Sequence, residues 1–150
     1  GQSKVSEKLP KNLKFYNKFF EIGKYKKEHY DLCFIKHPDP WGEPRNWMQA
    51  IAAIGETLSG KLTCEVYETN EIKAFAFLLN SLLGKHNVAI LSSKKIGIIK
   101  KYKCENFRAS WSINPRGVQK NMSLYYQTNK RKILKIFYKK IGKYIYNKVK

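Results

Sequence analysis

Residues 106–150 carry twelve Lys or Arg side chains and no Asp or Glu. Because unpaired ammonium groups are excluded from a protein core, these cations must stay in water and the apolar residues between them must collect on one face. Over residues 129–150 the apolar side chains recur at helical spacing, which predicts a basic amphipathic helix. Its predicted apolar face consists of Ile133, Ile136, Phe137, Ile141, Tyr144 and Ile145.

The rest of the chain alternates between helical and strand-like patterns. We predict helices at 10–23, 45–60 and 69–84, the last two ending at Gly60 and Gly84, and strands at 30–36 and 61–68. Further strands are expected at 86–93 and 95–103, paired about a turn at 92–95, at 108–114, and within 117–127.

These elements predict an α+β fold, and they divide the chain into three segments. Residues 1–8 form a flexible segment, residues 9–128 a single compact domain, and residues 129–150 the basic amphipathic C-terminal helix. The compact domain should hold a several-stranded sheet and three to four helices.

The cysteines and the apolar stretches indicate where the protein is located and whether it binds a metal or cofactor. Cys33, Cys64 and Cys104 form no C-x-x-C pair, so we expect core thiols, no disulfide, no metal and no cofactor. Residues 74–84, the longest apolar stretch, are too few to span a bilayer, and no signal peptide is visible. The expected location is intracellular (cytoplasmic or nuclear in a host cell), peripheral to a membrane, or a virion.

The charge predicts the class of partner. Thirty basic and eleven acidic residues give a net charge of +19. Such an excess favours a polyanion: an anionic membrane surface, nucleic acid or nucleoprotein. The candidate phosphate-binding residues are Lys94, Lys95, Lys100, Lys101, Arg108, Arg116, Lys120, Lys130, Arg131, Lys132, Lys135, Lys139, Lys140 and Lys143.

Aromatic residues lie among these cations. On a sheet surface they would stack on bases while the cations hold phosphates, or they would contact a membrane. The alternative is that they belong to the core. The candidates are Trp41, Tyr102, Trp111, Tyr125 and Tyr126.

The C-terminal helix has three interpretations. Its apolar face could enter a membrane interface, or its lysines could contact phosphates, or it could be a surface helix with solvated lysines.

An enzyme is the weaker possibility. His37 and Asp39 lie in a proline-rich loop and could form an acid–base pair, but one carboxylate two residues from one histidine is a weak signal. No P-loop, nucleophile-elbow or zinc-protease motif is present.

Two stretches resemble the matrix proteins of rhabdoviruses, the lyssavirus branch in particular. The first stretch, residues 41–60, is similar to the first helix of that family through Gly42, Arg45, Ile54, Gly55, Leu58, Ser59 and Gly60. The second stretch, residues 111–128, is similar to its closing strand and tail through Trp111, Ile113, Asn114, Pro115, Arg116, Gln119, Met122, Ser123, Leu124, Gln127 and Thr128. The resemblance implies a non-enzymatic structural protein that binds membrane, condenses the nucleocapsid and self-associates as a homo-oligomer.

Three functions therefore remain open. The leading prediction is a matrix-type, polyanion-binding structural protein that bridges anionic membrane and ribonucleoprotein. The alternative is a nucleic-acid-binding domain, and the third is a small nuclease or transferase that uses His37 and Asp39.

Overall fold

The computed structural model describes residues 20–24, 30–114 and 116–146, without the side chains of residues 59 and 143–146. Its elements follow in the order β1 (Tyr30–Lys36), α1 (Pro44–Thr57), β2 (Leu58–Val66), α2 (Thr69–Leu83), β3 (Val88–Ile99), β4 (Cys104–Ile113) and α3 (Met122–Tyr146). This confirms the predicted α+β class and the single compact domain. The predicted segment 1–8 and nearly all of the predicted helix at 10–23 lie outside the described residues.

The four strands form one mixed sheet in the order β1-β2-β4-β3. β1 and β2 are parallel because α1 carries the chain back across the sheet between them, whereas β4 is antiparallel to both β2 and β3. Leu62 of β2 pairs with Trp111 of β4, and Cys33 of β1 pairs with Leu62 from the other side. β1 and β3 are thus the two edges.

The core lies between the sheet and the helices. Leu62, Cys64 and Val66 alternate toward it along β2, as predicted, and all three are fully buried. Trp111 fills its centre and packs against Phe75 of α2, with ring centroids 5.8 Å apart. On the other face of the sheet Thr63 meets Ser110, with hydroxyl oxygens 3.1 Å apart.

Helix α3 is part of this core and not an appendage. It packs on α1 and α2, and Ile133, Phe137 and Ile141 are buried. Burial of a large apolar side chain contributes about 1.5–3 kcal/mol, so these residues together hold the helix in place. The helix begins at Met122, where the Asn121 side chain accepts a hydrogen bond from the Leu124 N–H at 3.0 Å, so Asn129 is not a structural boundary.

Two local predictions were wrong in the second half of the chain. Residues 92–95 are not a turn, because β3 runs unbroken from Val88 to Ile99 with Ser92 opposite Ser110 and Lys94 opposite Arg108. Polar residues are tolerated there because β3 is an edge strand. The chain reverses instead at Lys100–Tyr102, and Lys103 takes up a left-handed conformation with φ 49°. Of the strand predicted within 117–127, residues 117–121 precede α3 and residues 122–127 are its first turns.

Gly60 does not end α1, which was also predicted wrongly. The helix ends at Thr57 and β2 begins at the next residue. Gly60 lies inside β2, where a Cβ atom would overlap the carbonyl oxygen of Asp31 in β1. The glycine therefore permits close approach of two strands. Gly84 does end α2, with φ 88°.

Candidate polyanion-binding surface

The solvent face of α3 is a row of lysines. Lys132, Lys135 and Lys139 are exposed, and their spacing of three and four residues places them on one side of the helix. Ile133, Phe137 and Ile141 occupy the buried side. At 1.5 Å per residue the row is about 10 Å long. No Asp or Glu occurs in α3, so the helix supplies no negative charge of its own.

The cations of this row have no acidic partner. Within the described residues the ion pairs join Lys24 to Glu21, Lys95 to Glu105 and Arg108 to Glu65. These pairs lie in the 20–24 turn and on the sheet. Within the described part of the chain, no ion pair therefore neutralises the charge of the α3 row, and this charge is available to an external anion.

The burial of the apolar face argues against the membrane-interface interpretation of α3. A helix in a membrane interface must present its apolar face to the acyl chains. Here Phe137 is in contact with Trp41 at 5.8 Å and with Phe77 at 5.9 Å between ring centroids. The exposed side of α3 carries the lysines together with Leu124 and Tyr138, so α3 can bind phosphates without leaving the core.

A second cationic surface is the end of the β3–β4 hairpin. β2 pairs with β4 from Val66 to Lys61, so the hairpin end beyond Phe107 extends past β2. Lys100, Lys101 and Lys103 are exposed there. Among the predicted hairpin cations, Lys94 is also exposed, but Lys95 is paired with Glu105.

Tyr102 stands at this hairpin end with 55% of its surface exposed. Its ring meets Tyr67 edge to face at 5.3 Å, and the Lys101 ammonium lies 5.4 Å from the Tyr102 centroid. Tyr67 in turn is stacked on His37 at 3.9 Å. We call Tyr102, Tyr67 and His37 the ring stack. It joins the hairpin end to the residues that follow β2 and β1, because the carboxyl ends of the two parallel strands meet at this edge of the sheet.

His37 and Asp39 are engaged separately, and no acid–base pair forms between them. The carboxylate of Asp39 accepts hydrogen bonds from the backbone N–H groups of Trp41 at 3.2 Å and Gly42 at 2.7 Å. His37 has φ 49°, and its Nδ1 atom is buried without a hydrogen-bond partner. Its pKa is lowered, first by loss of hydration and then by the charge of Lys36, while Glu65 opposes the shift.

Two of the predicted stacking residues are core residues, which corrects the prediction for them. Trp111 is 2% exposed and Tyr126 is buried, so neither can meet a base. Tyr125 is half-buried and donates a hydrogen bond to the Ser81 carbonyl oxygen at 3.2 Å, and Trp41 packs against Phe137. Tyr102 alone among the five candidates is exposed.

The remaining predicted cations are distributed along the chain before and within α3. Arg116, Lys120, Arg131 and Lys140 are exposed. Lys130 donates a hydrogen bond to Gln127 at 2.6 Å, and Arg108 donates one from Nε to Glu65 at 3.0 Å. The side chain of Lys143 lies outside the described part of the chain.

The partners of Tyr102 in the ring stack were missed by sequence reasoning. Tyr67 was predicted to lie inside the strand at 61–68, whereas in the structure it directly follows β2, as His37 follows β1. The pairing of β1 with β2, which brings Tyr67 and His37 together, could not be predicted from the sequence. No cluster of His, Cys, Asp or Glu suited to a metal ion occurs among the residues that the structure describes. None of the described helices is long and apolar enough to cross a bilayer.

No protein-family profile matches the chain, and no curated protein matches it either. The resemblance to rhabdovirus matrix proteins therefore stays a prediction.

Proposed function

We propose that the protein is a non-enzymatic, polyanion-binding structural protein of matrix type, peripheral to a membrane or part of a virion. Its partners are an anionic membrane surface and a ribonucleoprotein, and it associates with itself. The observation that carries the proposal is the row of exposed lysines on α3, which form no ion pair with any described residue, on a helix whose other face is buried in the core.

The physics of the row fits a charged surface better than a buried site. A lysine close to an anionic bilayer contributes about 1 kcal/mol, and this attraction fades within a Debye length. Several such contacts are needed for useful affinity, and α3 supplies Lys132, Lys135 and Lys139 on one side with Arg131 and Lys140 beside them. In binding of this kind the contributions of the individual lysines add up and salt weakens the affinity. No part of the protein has to insert into the bilayer.

A nucleic-acid-binding domain is the second candidate, favoured by Tyr102. This ring is exposed between Lys101 and Lys103, an arrangement in which a base can stack while neighbouring phosphates are held. A nuclease or transferase built on His37 and Asp39 loses support, because each side chain is used locally.

Sedimentation with vesicles and with single-stranded RNA tests the proposal. Truncation at Thr128 would remove Ile133, Phe137 and Ile141 from the core, so charge-neutralising double variants are the sharper tool. The α3 variant is Lys135→Gln with Lys139→Gln, and the hairpin variant is Lys100→Gln with Lys101→Gln. A matched control, Lys61→Gln with Lys85→Gln, removes two exposed charges elsewhere.

Each outcome decides between the candidates. Binding to phosphatidylserine vesicles that is at least as tight as binding to RNA, and that falls in the α3 variant but not in the control, supports the matrix-type function. Tight RNA binding that falls in the hairpin variant, with vesicles ignored, replaces it by the nucleic-acid domain. Equal binding by all three variants rejects both surfaces.

A further inference from the structure

The two edges of the sheet are protected differently. β3 carries Lys94 and Lys95 along its length, and its register shifts twice against β4, which discourages pairing with another chain. In β1 the run from Leu32 to Ile35 holds no charged residue and no proline. The one register shift of β1 against β2 falls between Tyr30 and Leu32, so within the described residues the run from Leu32 to Ile35 lacks these protective features.

The free backbone groups of β1 can be assigned from one hydrogen bond. The His37 N–H donates to the Glu65 carbonyl oxygen at 2.7 Å, so residues 33, 35 and 37 direct their backbone groups toward β2. Alternate residues of a strand point the other way. Leu32 and Phe34 consequently direct their N–H and C=O groups away from β2, toward the side of β1 on which no strand of the described residues pairs.

The side chains of these same residues are open to solvent. Leu32 is 60% exposed and Phe34 is 52% exposed. An apolar groove of about 360 Å³ opens beside them, lined in part by Phe20, Trp47 and Ile54. Exposed apolar side chains beside unpaired backbone groups are the features of a strand that accepts a further strand.

Charge selects the occupant. Two copies of a chain with a net charge of +19 repel each other over most of their surface. β1 is the exception, since Asp31 and Lys36 are its only charged residues and cancel. Copies can approach strand to strand at β1 with little electrostatic penalty, whereas an edge-to-edge approach at β3 would oppose lysines.

We propose that β1 pairs antiparallel with β1 of a second copy about a two-fold axis at Cys33. Leu32 then lies opposite Phe34 of the second copy, and the reciprocal pair forms on the other side of the axis. This register keeps each side chain on its own face of the sheet and pairs the free backbone groups of Leu32 and Phe34. Cys33 lies opposite Cys33 of the second copy as a non-hydrogen-bonded pair, with Cα atoms about 4.5 Å apart, within disulfide reach.

This pairing deepens the proposed function, because it gives self-association a specific strand. The interface is small, so the dimer should form in a concentration-dependent way. The β1 pairing does not involve the α3 lysines, so dimerisation and polyanion binding can fail separately.

Sedimentation velocity of the whole chain at raised salt, over a range of concentrations, tests the dimer. The variant Phe34→Lys should be monomeric at concentrations where the natural chain is dimeric. Its matched control is Leu91→Lys, which places the same charge at an exposed position, 56% accessible, on the β3 edge and should leave the dimer intact. Vesicle binding by monomeric Phe34→Lys separates failure of the dimer from failure of polyanion binding.

Cross-linking provides a readout that does not depend on the folding of Phe34→Lys. Copper–phenanthroline oxidation takes two electrons and two protons from a pair of thiols and joins them. A covalent dimer should form in the natural chain and in Cys104→Ser but not in Cys33→Ser. A monomer at every concentration, equal dimerisation of the two lysine variants, or cross-linking that depends on Cys104 would overturn the proposal.

Discussion

His37 lies flat on Tyr67, with ring centroids 3.9 Å apart and an angle of 4° between the planes. The contact joins the residue after β1 to the residue after β2, and Tyr102 extends it to the hairpin end. The histidine holds this position in a left-handed conformation that few residues adopt readily. These contacts and the lowered pKa of His37 lead us to expect that stability depends on pH.

We expect the fold to lose stability in mild acid through His37. Its pKa is lowered by burial and by Lys36, so the unfolded chain binds this proton more readily than the folded protein. The contribution of His37 is therefore complete above its ordinary pKa of about 6.5 and is lost as the pH falls below that value. Free energies of unfolding in urea, measured between about pH 7.5 and about pH 5.5, should show the fall.

The control separates His37 from other titrating groups. His37→Asn, a residue that tolerates a left-handed conformation, should flatten this part of the pH profile. His86→Asn replaces an exposed histidine outside the ring stack and serves as the matched control. Retention of the full acid-induced fall in His37→Asn would contradict the prediction.

Phe137 should be a principal anchor of α3. It is buried and packs against both Trp41 and Phe77. Phe137→Ala should lower the free energy of unfolding by about 3–5 kcal/mol. Tyr138→Ala removes an exposed ring that meets Phe137 edge to face at 5.7 Å, and should cost at most about 1.5 kcal/mol. Denaturant titration of both variants measures the difference, and similar losses in the two would argue against docking of α3.

Gly60 should be required for the approach of β1 to β2. In Gly60→Ala the new methyl group overlaps the Asp31 carbonyl oxygen, and we expect a loss of about 1–3 kcal/mol in unfolding free energy. Gly97→Ala is the matched change in β3, where a Cβ atom meets nothing within 4 Å. Thermal melting of the two variants should separate them, and an unchanged melting temperature in Gly60→Ala would refute the close contact.

Salt dependence should report the number of phosphate contacts made by α3. Each contact with single-stranded RNA contributes about 0.7 to the slope of log affinity against log salt concentration. If both lysines contact phosphate, the double variant Lys135→Gln with Lys139→Gln should reduce that slope by about 1.4. The Lys61→Gln, Lys85→Gln control should leave it unchanged. A slope in the α3 variant equal to that of the natural chain would show that the RNA does not contact these two lysines.

Much of the local structure could be predicted because it depends on local periodicity. The bounds of β1, the alternation along β2 and the end of α2 at Gly84 were predicted correctly. Of the predicted apolar face of α3, Ile133, Phe137 and Ile141 are buried, whereas Ile136 is only half-buried. The start of α3 was missed, although Asn121 and the spacing of Met122 and Tyr126 continue the helical pattern. A strand was predicted there because a short apolar run is compatible with a strand as well as with a helix.

By itself the sequence determined which residues could enter the core and which had to stay in water. The lysines of α3 are at the surface because an unpaired charge is costly to bury, wherever the helix packs. Only the tertiary structure decided that Trp111 fills the core, that β3 continues through residues 92–95, and that β1 has a free edge. Those outcomes depend on what packs across from each residue, and strand order and layer contacts bring together residues that are distant along the chain.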